Sequence, residues 1–482
     1  MSMRAVLPWL LILGSGSSST HGGELLDAVK AGDTLLMQRL LADPATAKEA
    51  DADGTSVLHW AAHHGELELT SSLLAAGAAV DAMNRYGVRP LYLAAENGDA
   101  SMVRVLLEAG ADPNAALPGG ETALMTAART GDVATLEALL AGGADVNATD
   151  GWKGQTALMW AAAENHGLAV TALLRAGAAR DVRSNGGEFA ALTFAVRGGA
   201  IDSTRALLEA GADVNATLAD GTSMLGIATL NRHNELAALL LDYDADPNAD
   251  RQGWTALHQI VWSRRWNRGF NLPGPVQTGN LDSLDLVRKL VAVGANVDAR
   301  QKKEPRDGNR NGLERIGATP FLLAAKSVDV PLMQTLLELG ADAGIATEQG
   351  TTAVMAAAGV GTASPGESPG TVEEALAALK LAFDAGGGEV NDYNARGETA
   401  LHGAVYRGGA VPLIEFLVAR GAKLDAVNDR GWMPVRVADG IAQGTTLKRY
   451  PAAARLLREH MRAQGLPVPE VAPIGNGSKP ET

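Results

Sequence analysis

One segment has the residue spacing of a hydrolase nucleophile. Residues 366–370 read Gly-Glu-Ser-Pro-Gly, which matches the G-x-S-x-G pattern whose serine attacks an acyl carbon. In that chemistry the backbone N–H of the residue after the serine helps to bind the oxyanion. Here that residue is Pro369, which has no N–H to donate. The motif therefore does not predict a serine hydrolase.

Histidines are the second residue type that could carry chemistry. His59, His258 and His402 occupy the same position of a recurring phrase, but they lie far apart in the sequence. His63 and His64 are adjacent, so on a helix their side chains point about 100° apart and share no metal-binding face. The sequence also has no H-E-x-x-H, no G-x-x-x-x-G-K and no EF-hand loop. We therefore expect no enzymatic activity, no cofactor and no metal site.

Composition narrows the class of protein further. Of the 482 residues, 46% are hydrophobic but only 4% are aromatic, while 56 are glycine and none is cysteine. A chain with few large core-filling side chains favours many small interfaces over one thick core. The net charge of −14 argues against nucleic-acid binding. Without cysteine, disulfides and thiolate metal sites are excluded.

A short phrase, Gly-Ala-Asp-x-Asn-Ala or a near variant, recurs along the chain. Its first residues are Gly77, Gly110, Gly143, Gly177, Gly211, Asp244, Gly294, Gly340, Gly387 and Gly421. Most steps are 33 or 34 residues, and three are 50, 46 and 47. A second phrase of the type Thr-x-x-Leu-x-x-Ala-Ala precedes it, as at Thr55–Ala62 and Thr319–Ala325. Such a fixed period indicates a repeat architecture.

The two phrases together resemble the ankyrin repeat over about residues 24–462. The resemblance implies an all-α solenoid of helix-turn-helix units joined by β-hairpin finger loops, with about eleven to twelve units including caps. Threonine before the first helix suits an N-cap. Leucine pairs such as Leu139–Leu140 are expected to form the outer helix and the core between repeats. The resemblance also implies that the three equivalent histidines are structural.

The repeat pattern divides the chain into six predicted segments. They are a signal peptide (1–22), an N-terminal capping unit (23–50), regular repeats (51–251), repeats with long inserts (252–429), a C-terminal capping unit (430–463) and a disordered tail (464–482). The first segment has Arg4, an apolar stretch from Ala5 to Leu13, and a Gly/Ser/Thr run. This layout predicts export to the periplasm or medium, without a transmembrane segment in the mature chain. We expect a monomer.

Four inserts interrupt the later repeats. Three lengthen the turn between two helices: the first turn insert (263–281), the second turn insert (359–371) and the last turn insert (439–451). The fourth, the finger insert (301–316), lengthens a finger loop. Ankyrin units place turns and fingers at opposite edges of their concave face, so these inserts are expected to wall that face into a cleft. Loops of this length in a compact array are usually functional or disordered.

Basic residues are concentrated in the same region. From 262 to 316 there are eleven Lys and Arg against six Asp and Glu, a net +5, which leaves −19 for the rest (−14 − 5). Trp266 and Phe270 lie among the arginines, and Trp with Arg is typical of interface hot spots. The segment therefore predicts a contact surface; alternatively, it is a solvated loop whose Trp266 packs on the adjacent repeat.

The preferred function is a non-enzymatic scaffold that holds a protein partner in the concave face, at a basic and aromatic cleft in the C-terminal half. The alternative is binding of an anionic polymer or small ligand at that cleft. The residues expected to contact the partner are Arg264, Arg265, Trp266, Arg268, Phe270, Lys302, Lys303, Arg306, Arg310, Lys448, Arg449 and Tyr450. The sequence does not identify the partner.

Overall fold

The computed structural model of the chain describes residues 23–265, 274–305, 312–362, 369–443 and 446–471. The chain divides into two compact units, Met1–Ala212 (unit 1) and Asp213–Thr482 (unit 2). In the described part of each unit, the secondary structure is built almost entirely from pairs of short helices.

Unit 1 contains six helix pairs within residues 23–212. They are α1 (Glu24–Ala31) and α2 (Thr34–Leu40), α3 (Val57–His64) and α4 (Leu67–Ala75), α5 (Pro90–Glu96) and α6 (Ala100–Glu108), α7 (Ala123–Thr130) and α8 (Val133–Ala141), α9 (Ala157–Ala163) and α10 (Gly167–Arg175), and α11 (Ala191–Gly198) and α12 (Ile201–Glu209). A short 3-10 helix, Pro44–Lys48, follows the first pair. From α3 onward, first helices pack on first helices and second helices on second helices.

Unit 2 contains six further pairs within its described residues. They are α13 (Met224–Leu230) and α14 (Asn234–Asp242), α15 (Ala256–Arg264) and α16 (Ser283–Ala292), α17 (Pro320–Lys326) and α18 (Val330–Glu338), α19 (Ala353–Ala358) and α20 (Val372–Asp384), α21 (Ala400–Tyr406) and α22 (Val411–Ala419), and α23 (Pro434–Asp439) and α24 (Pro451–Ala463). The all-α repeat class predicted from the sequence is confirmed. A small antiparallel hairpin, β1 (Ile441–Gln443) with β2 (Thr446–Lys448), lies in the last turn insert, where the sequence predicted only a stretched turn.

The repeated phrases act as the capping chemistry predicts. The Thr122 hydroxyl accepts the N–H of Met125 at 3.3 Å, and the Thr319 hydroxyl accepts that of Leu322 at 3.2 Å. Pro320 occupies the first turn of α17, where a missing N–H costs nothing. Gly131 ends α7 with φ +79°, a left-handed conformation that favours glycine.

Several leucine pairs of the second helices bury only their first member, whereas Leu207 and Leu208 are both buried. Leu139 is fully buried between repeats, whereas Leu140 is only half-buried. Leu73 and Leu74 show the same division. The expectation that both leucines belong to the core is therefore wrong for Leu74 and Leu140, because residues one position apart on a helix point about 100° apart.

The asparagines of the finger loops join neighbouring fingers. The Asn114 amide donates to the Gly143 carbonyl at 3.1 Å, and its oxygen accepts the N–H of Asp145. The same pair of bonds runs from Asn248 to the finger that begins at Gly294. Asparagine can form both bonds because its side chain both donates and accepts. The recurring phrase thus encodes a ladder between repeats as well as a turn.

Candidate partner-binding site

The first turn insert begins with a buried ion pair. Arg264, the last residue of α15, forms two hydrogen bonds to the Asp329 carboxylate at 2.8 and 3.1 Å and a third to the Ser283 hydroxyl. Only 1% of the Asp329 side chain is exposed, and this carboxylate also caps α18. Arg264 was predicted to contact a partner. The structure places it within the fold, where it joins the turn of its own repeat to that of the next.

Arg265 reaches one repeat further. Its guanidinium forms a bidentate pair with Glu374 at 2.8 and 3.1 Å. Glu374 belongs to a capping box with Thr371 at the start of α20, directly after the second turn insert. Arginine and these backbone bonds hold the pKa of Glu374 below its usual value. The two turn inserts are therefore joined across the repeat between them.

The end of the first turn insert returns to the preceding repeat. Thr278 donates its N–H to the Arg232 carbonyl at 3.3 Å, and its hydroxyl bonds His233 at 2.8 Å. Asn280 donates its N–H to the Glu235 carboxylate at 2.7 Å. The described parts of this insert are thus anchored at both ends.

The finger insert leaves the finger edge beside two lysines. Lys302 donates its N–H to the Gly253 carbonyl at 2.7 Å, and its ammonium pairs with Asp250. The Lys303 ammonium donates to the Arg251 carbonyl at 3.0 Å. Both lysine side chains remain exposed. These two predicted contact residues are therefore accessible at the finger edge.

Arg315 closes the finger insert and covers an aromatic pair. It is 5% exposed, pairs with Glu304, and lies 5.9 Å from the Trp262 ring. Trp262, in the last turn of α15, meets Trp254 edge to face at 5.4 Å between centroids. Such cation and aromatic contacts stabilise the loop against the first helix. Trp254, Trp262 and Arg315 were not among the predicted contact residues, and they pack against one another within the fold.

Residues 312–316 connect the two edges of unit 2. Gly312 donates its N–H to the Gly361 carbonyl at 2.8 Å, in the second turn insert. Leu313 is 4% exposed, and Glu314 pairs with Arg396 in a later finger. A methyl group on Gly361, whose φ is +78°, would lie 2.5 Å from the Leu313 nitrogen, so this close approach requires glycine. Finger and turn inserts therefore meet, rather than forming separate walls.

Two cations that were not predicted lie beside this connection. The Lys326 ammonium donates to the Val360 carbonyl at 2.7 Å and to the Thr362 hydroxyl at 2.8 Å. Arg407 donates to the Lys326 carbonyl at 3.3 Å. Each residue is 8% exposed. In the sequence, Lys326 could have been noticed because a charged residue directly follows the Ala pair of a first helix.

The last turn insert packs on the repeat before it. Tyr450 is half-buried and donates its N–H to the Ala438 carbonyl at 2.9 Å. A methyl group on Gly409 would lie 2.5 Å from the Tyr450 Cβ, so the two residues are in close contact. Arg449 is exposed, and Lys448 is half-buried at the end of β2.

The remaining predicted contact residues lie outside the described part of the chain. They are Trp266, Arg268, Phe270, Arg306 and Arg310. Ser368 of the hydrolase-like motif also lies outside it. These assignments stay predictions from the sequence.

Unit 1 has an aromatic pocket on the side formed by its first helices. Trp60, Tyr86, Tyr92, Leu93 and Glu96 contribute to a cavity of about 30 Å³. The Tyr92 hydroxyl donates to a carboxylate of the next finger at 2.9 Å. Sequence reasoning assigned no site to these regular repeats, because the aromatic residues follow ordinary repeat positions.

The equivalent histidines are structural. The Nδ1 atom of His258 accepts the N–H of Thr255 at 3.2 Å, and Nε2 lies 3.2 Å from the carbonyl of Ala318 in the next repeat. His402 bonds Thr399 and Trp432 in the same way. Burial lowers the pKa of both imidazoles to about 4. Within the residues that the structure describes, no group of three or more His, Asp or Glu side chains could hold a metal ion.

Stacked helix pairs with finger ladders and buried histidine caps define an ankyrin-type repeat protein. Sequence profiles of ankyrin repeats match residues 25–116, 124–218 and 192–267 as multi-repeat arrays, 101–140 as a further array, and 396–429 as a single repeat. Together these matches cover more than half of the chain. The chain therefore belongs to the ankyrin-repeat family.

A curated relative supports this assignment. The chain is 31% identical over 160 residues to the nuclear factor NF-kappa-B p105 subunit of Gallus gallus. The match covers 32% of this chain and 13% of that protein, so the likeness concerns the repeats. Ankyrin repeats indicate a scaffold for protein–protein interaction and are generally non-enzymatic. In the described residues, no helix is long and apolar enough to cross a membrane.

Proposed function

We propose that the protein is a non-enzymatic, monomeric scaffold that binds a protein partner at a basic and aromatic cleft of unit 2. The single observation that carries this proposal is the convergence of the inserts. Arg265 joins the two turn inserts, and Gly312 joins the finger insert to the second of them. Fixing the described ends of these inserts costs conformational entropy, and loops that a folded scaffold positions often carry function.

Exposed cations at the edges of the inserts supply the contact groups in this proposal. Lys302 and Lys303 lie at the finger edge, and Arg449 lies on the last turn insert. Exposed charges at an interface rim act mainly on the association rate and its salt dependence. Arg264 and Arg265 support the surface by positioning the inserts that carry it.

A pull-down with matched charge reversals tests the proposal. The test variant is Lys302→Glu, Lys303→Glu and Arg449→Glu; the control reverses three exposed arginines on the second helices of unit 1, Arg104→Glu, Arg175→Glu and Arg205→Glu. A protein captured by wild type and by the control, but not by the test variant, would support the cleft. Loss of capture only in the control would place recognition in unit 1.

We further propose that the protein is exported, on the basis of the charged and apolar layout of residues 1–22. These residues lie outside the described part. A reporter fused after Gly23 should reach the periplasm or medium with the leader removed. An intact N-terminus on cytoplasmic protein would contradict this proposal.

A further inference from the structure

The aromatic cavity of unit 1 also contains two carboxylates. The residues that combine the two chemistries are Trp60 in α3, Tyr92 and Glu96 in α5, and Asp53 and Tyr86 in the loops before these helices. The cavity measures about 30 Å³, whereas one water-sized group needs about 10–15 Å³. It therefore has room for the head of a small polar side chain.

The cavity opens to solvent between two successive repeats. His63, Tyr86 and Glu96 line it and are only half-buried, so each also reaches the protein surface. Trp60 and Tyr92, by contrast, are 9% and 6% exposed and form its buried wall. A side chain of a bound protein can therefore enter past the half-buried residues and meet the two aromatic rings.

The polar groups that line the cavity are acceptors without a cation. Within the described part of unit 1, no lysine or arginine nitrogen lies within 4 Å of the Asp53 or Glu96 carboxylate. Burial raises the pKa of Glu96, and the charge of Arg129 offsets only part of this effect. An ammonium beside Glu96 would stabilise its charged form.

His63 supplies a third acceptor. Its Nδ1 atom is buried and has no hydrogen-bond partner among the described residues. Burial, and then the neighbouring His64, lower the pKa of His63, so its imidazole is neutral at neutral pH. A neutral imidazole has one ring nitrogen that can accept a hydrogen bond. The cavity thus lacks a donor as well as a positive charge.

The surrounding sequence favours a cationic ligand. Residues 51–121 contain three Lys and Arg against ten Asp and Glu, a net charge of −7 (3 − 10). Such a local excess of negative charge attracts cations. Two cations of the chain already lie over the rings: Lys30 is 5.4 Å from the Trp60 centroid, and Arg85 is 5.0 Å from that of Tyr86. Neither belongs to the described residues that line the cavity.

We propose that this cavity receives the ammonium group of a lysine side chain on a protein partner. Aromatic rings and carboxylates together favour a cation, and an ammonium has N–H groups for the carboxylates and for His63. Ammonium is also the more compact of the two cationic side-chain heads, which suits a cavity of this size. The site lies in unit 1, so it adds a second contact to the scaffold and does not depend on the cleft of unit 2.

Butylammonium is the probe, because it is a lysine side chain without a backbone. Butylammonium chloride replaces sodium chloride at constant ionic strength and neutral pH, and NMR follows the indole N–H signals of the eight tryptophans. The Trp60 signal is identified by its loss in Trp60→Phe. In wild type we expect this signal to shift until the site is saturated.

Three variants test which groups bind the probe. Glu96→Gln removes a lining carboxylate and should weaken binding at least about fivefold. Glu108→Gln makes the same change of charge at an exposed helix position of the same repeat and should bind as wild type. Tyr86→Leu keeps an apolar wall without the ring and should weaken binding about threefold. Unchanged signals from the other tryptophans would show that the variants fold as wild type does.

A shift that does not saturate, or wild-type affinity in both Glu96→Gln and Tyr86→Leu, would overturn the site. Butanol that binds as tightly as butylammonium would overturn the cation assignment, because apolar contact alone would then suffice. Tighter binding of tetramethylammonium, which has no N–H, would overturn the primary ammonium in favour of a methylated one. None of these results bears on the cleft of unit 2, which the pull-down tests separately.

Discussion

At the scale of single residues, buried histidines make unit 2 sensitive to acid. The unfolded imidazole takes up a proton below about pH 6.5, but folded His258 does so only near pH 4. Protons therefore favour the unfolded state: the stabilisation is complete above about pH 6.5 and is lost as the pH falls through 4. The shift corresponds to about 3 kcal/mol.

We expect the stability difference between wild type and His258→Gln to shrink by about that amount from pH 7 to pH 4, measured by urea unfolding. His64→Gln, at an exposed position, is the control and should track wild type. A constant difference across this range would show that His258 does not titrate with folding.

The Arg264–Asp329 pair gives a second prediction for single residues. The Asp329 carboxylate is 1% exposed, and Arg264→Met removes the cation that pairs with it. This change should lower the free energy of unfolding by about 3 kcal/mol. Adding Asp329→Asn should recover part of the loss, because the amide is neutral and can still cap α18. Arg288→Met removes an exposed pair and should cost below about 0.5 kcal/mol in urea unfolding. Equal losses for Arg264→Met and Arg288→Met would contradict a buried role.

At the scale of helices, the leucine pair of α8 tests which face forms the core. Leu139→Ala should cost about 2–5 kcal/mol, because Leu139 is fully buried. Leu140→Ala should cost about 1 kcal/mol, because part of its surface already faces water. Denaturant unfolding of both variants measures the difference. A larger loss for Leu140 would require α8 to be rotated.

The link between inserts gives a prediction for loops. Gly361 and Gly340 both have positive φ, but a methyl group meets Leu313 at the first and nothing within 4 Å at the second. Gly361→Ala should therefore release residues 312–313, whereas Gly340→Ala should cost only the strain of about 1 kcal/mol. Exchange of the Gly312 amide should rise at least about tenfold in Gly361→Ala alone. Unchanged exchange would mean that the link does not order the loop.

Local chemistry explains which elements could be predicted. Threonine caps, Ala pairs and the finger phrase act within about one repeat, so their spacing in the sequence determines their partners. The inserts depend on contacts between distant residues: Arg264 lies 65 positions from Asp329, and Arg265 lies 109 from Glu374. The repeat period does not determine which residues pair over such distances. The positions of the arginines could therefore be read from the sequence, but their carboxylate partners could not be predicted.

At the scale of the whole molecule, the charge distribution bears on the alternative function, binding of an anionic polymer. The chain carries −14, and the basic segment 262–316 is its most cationic part. Its described cations all have acceptors within the chain. Six pair with carboxylates: Arg264, Arg265, Arg288, Lys289, Lys302 and Arg315. Arg300 and Lys303 donate to backbone carbonyls. Internal carboxylates therefore offset much of the field that would attract a polyanion.

We expect the protein to elute from immobilised heparin below about 0.15 M salt, because few cations are available to displace counter-ions. Asp242→Asn and Asp250→Asn remove the acidic partners of Lys289 and Lys302, and Asp285→Asn removes one of the two acidic partners of Arg288. The three changes together should raise the eluting salt concentration. The control variant changes the net charge by the same amount at three exposed helix positions of unit 1: Glu68→Gln, Glu108→Gln and Glu137→Gln. It should raise the eluting salt concentration less. Elution of the wild-type protein above about 0.3 M salt would instead favour binding of an anionic polymer. Retention at that salt concentration requires a set of cations that are free to contact the polymer.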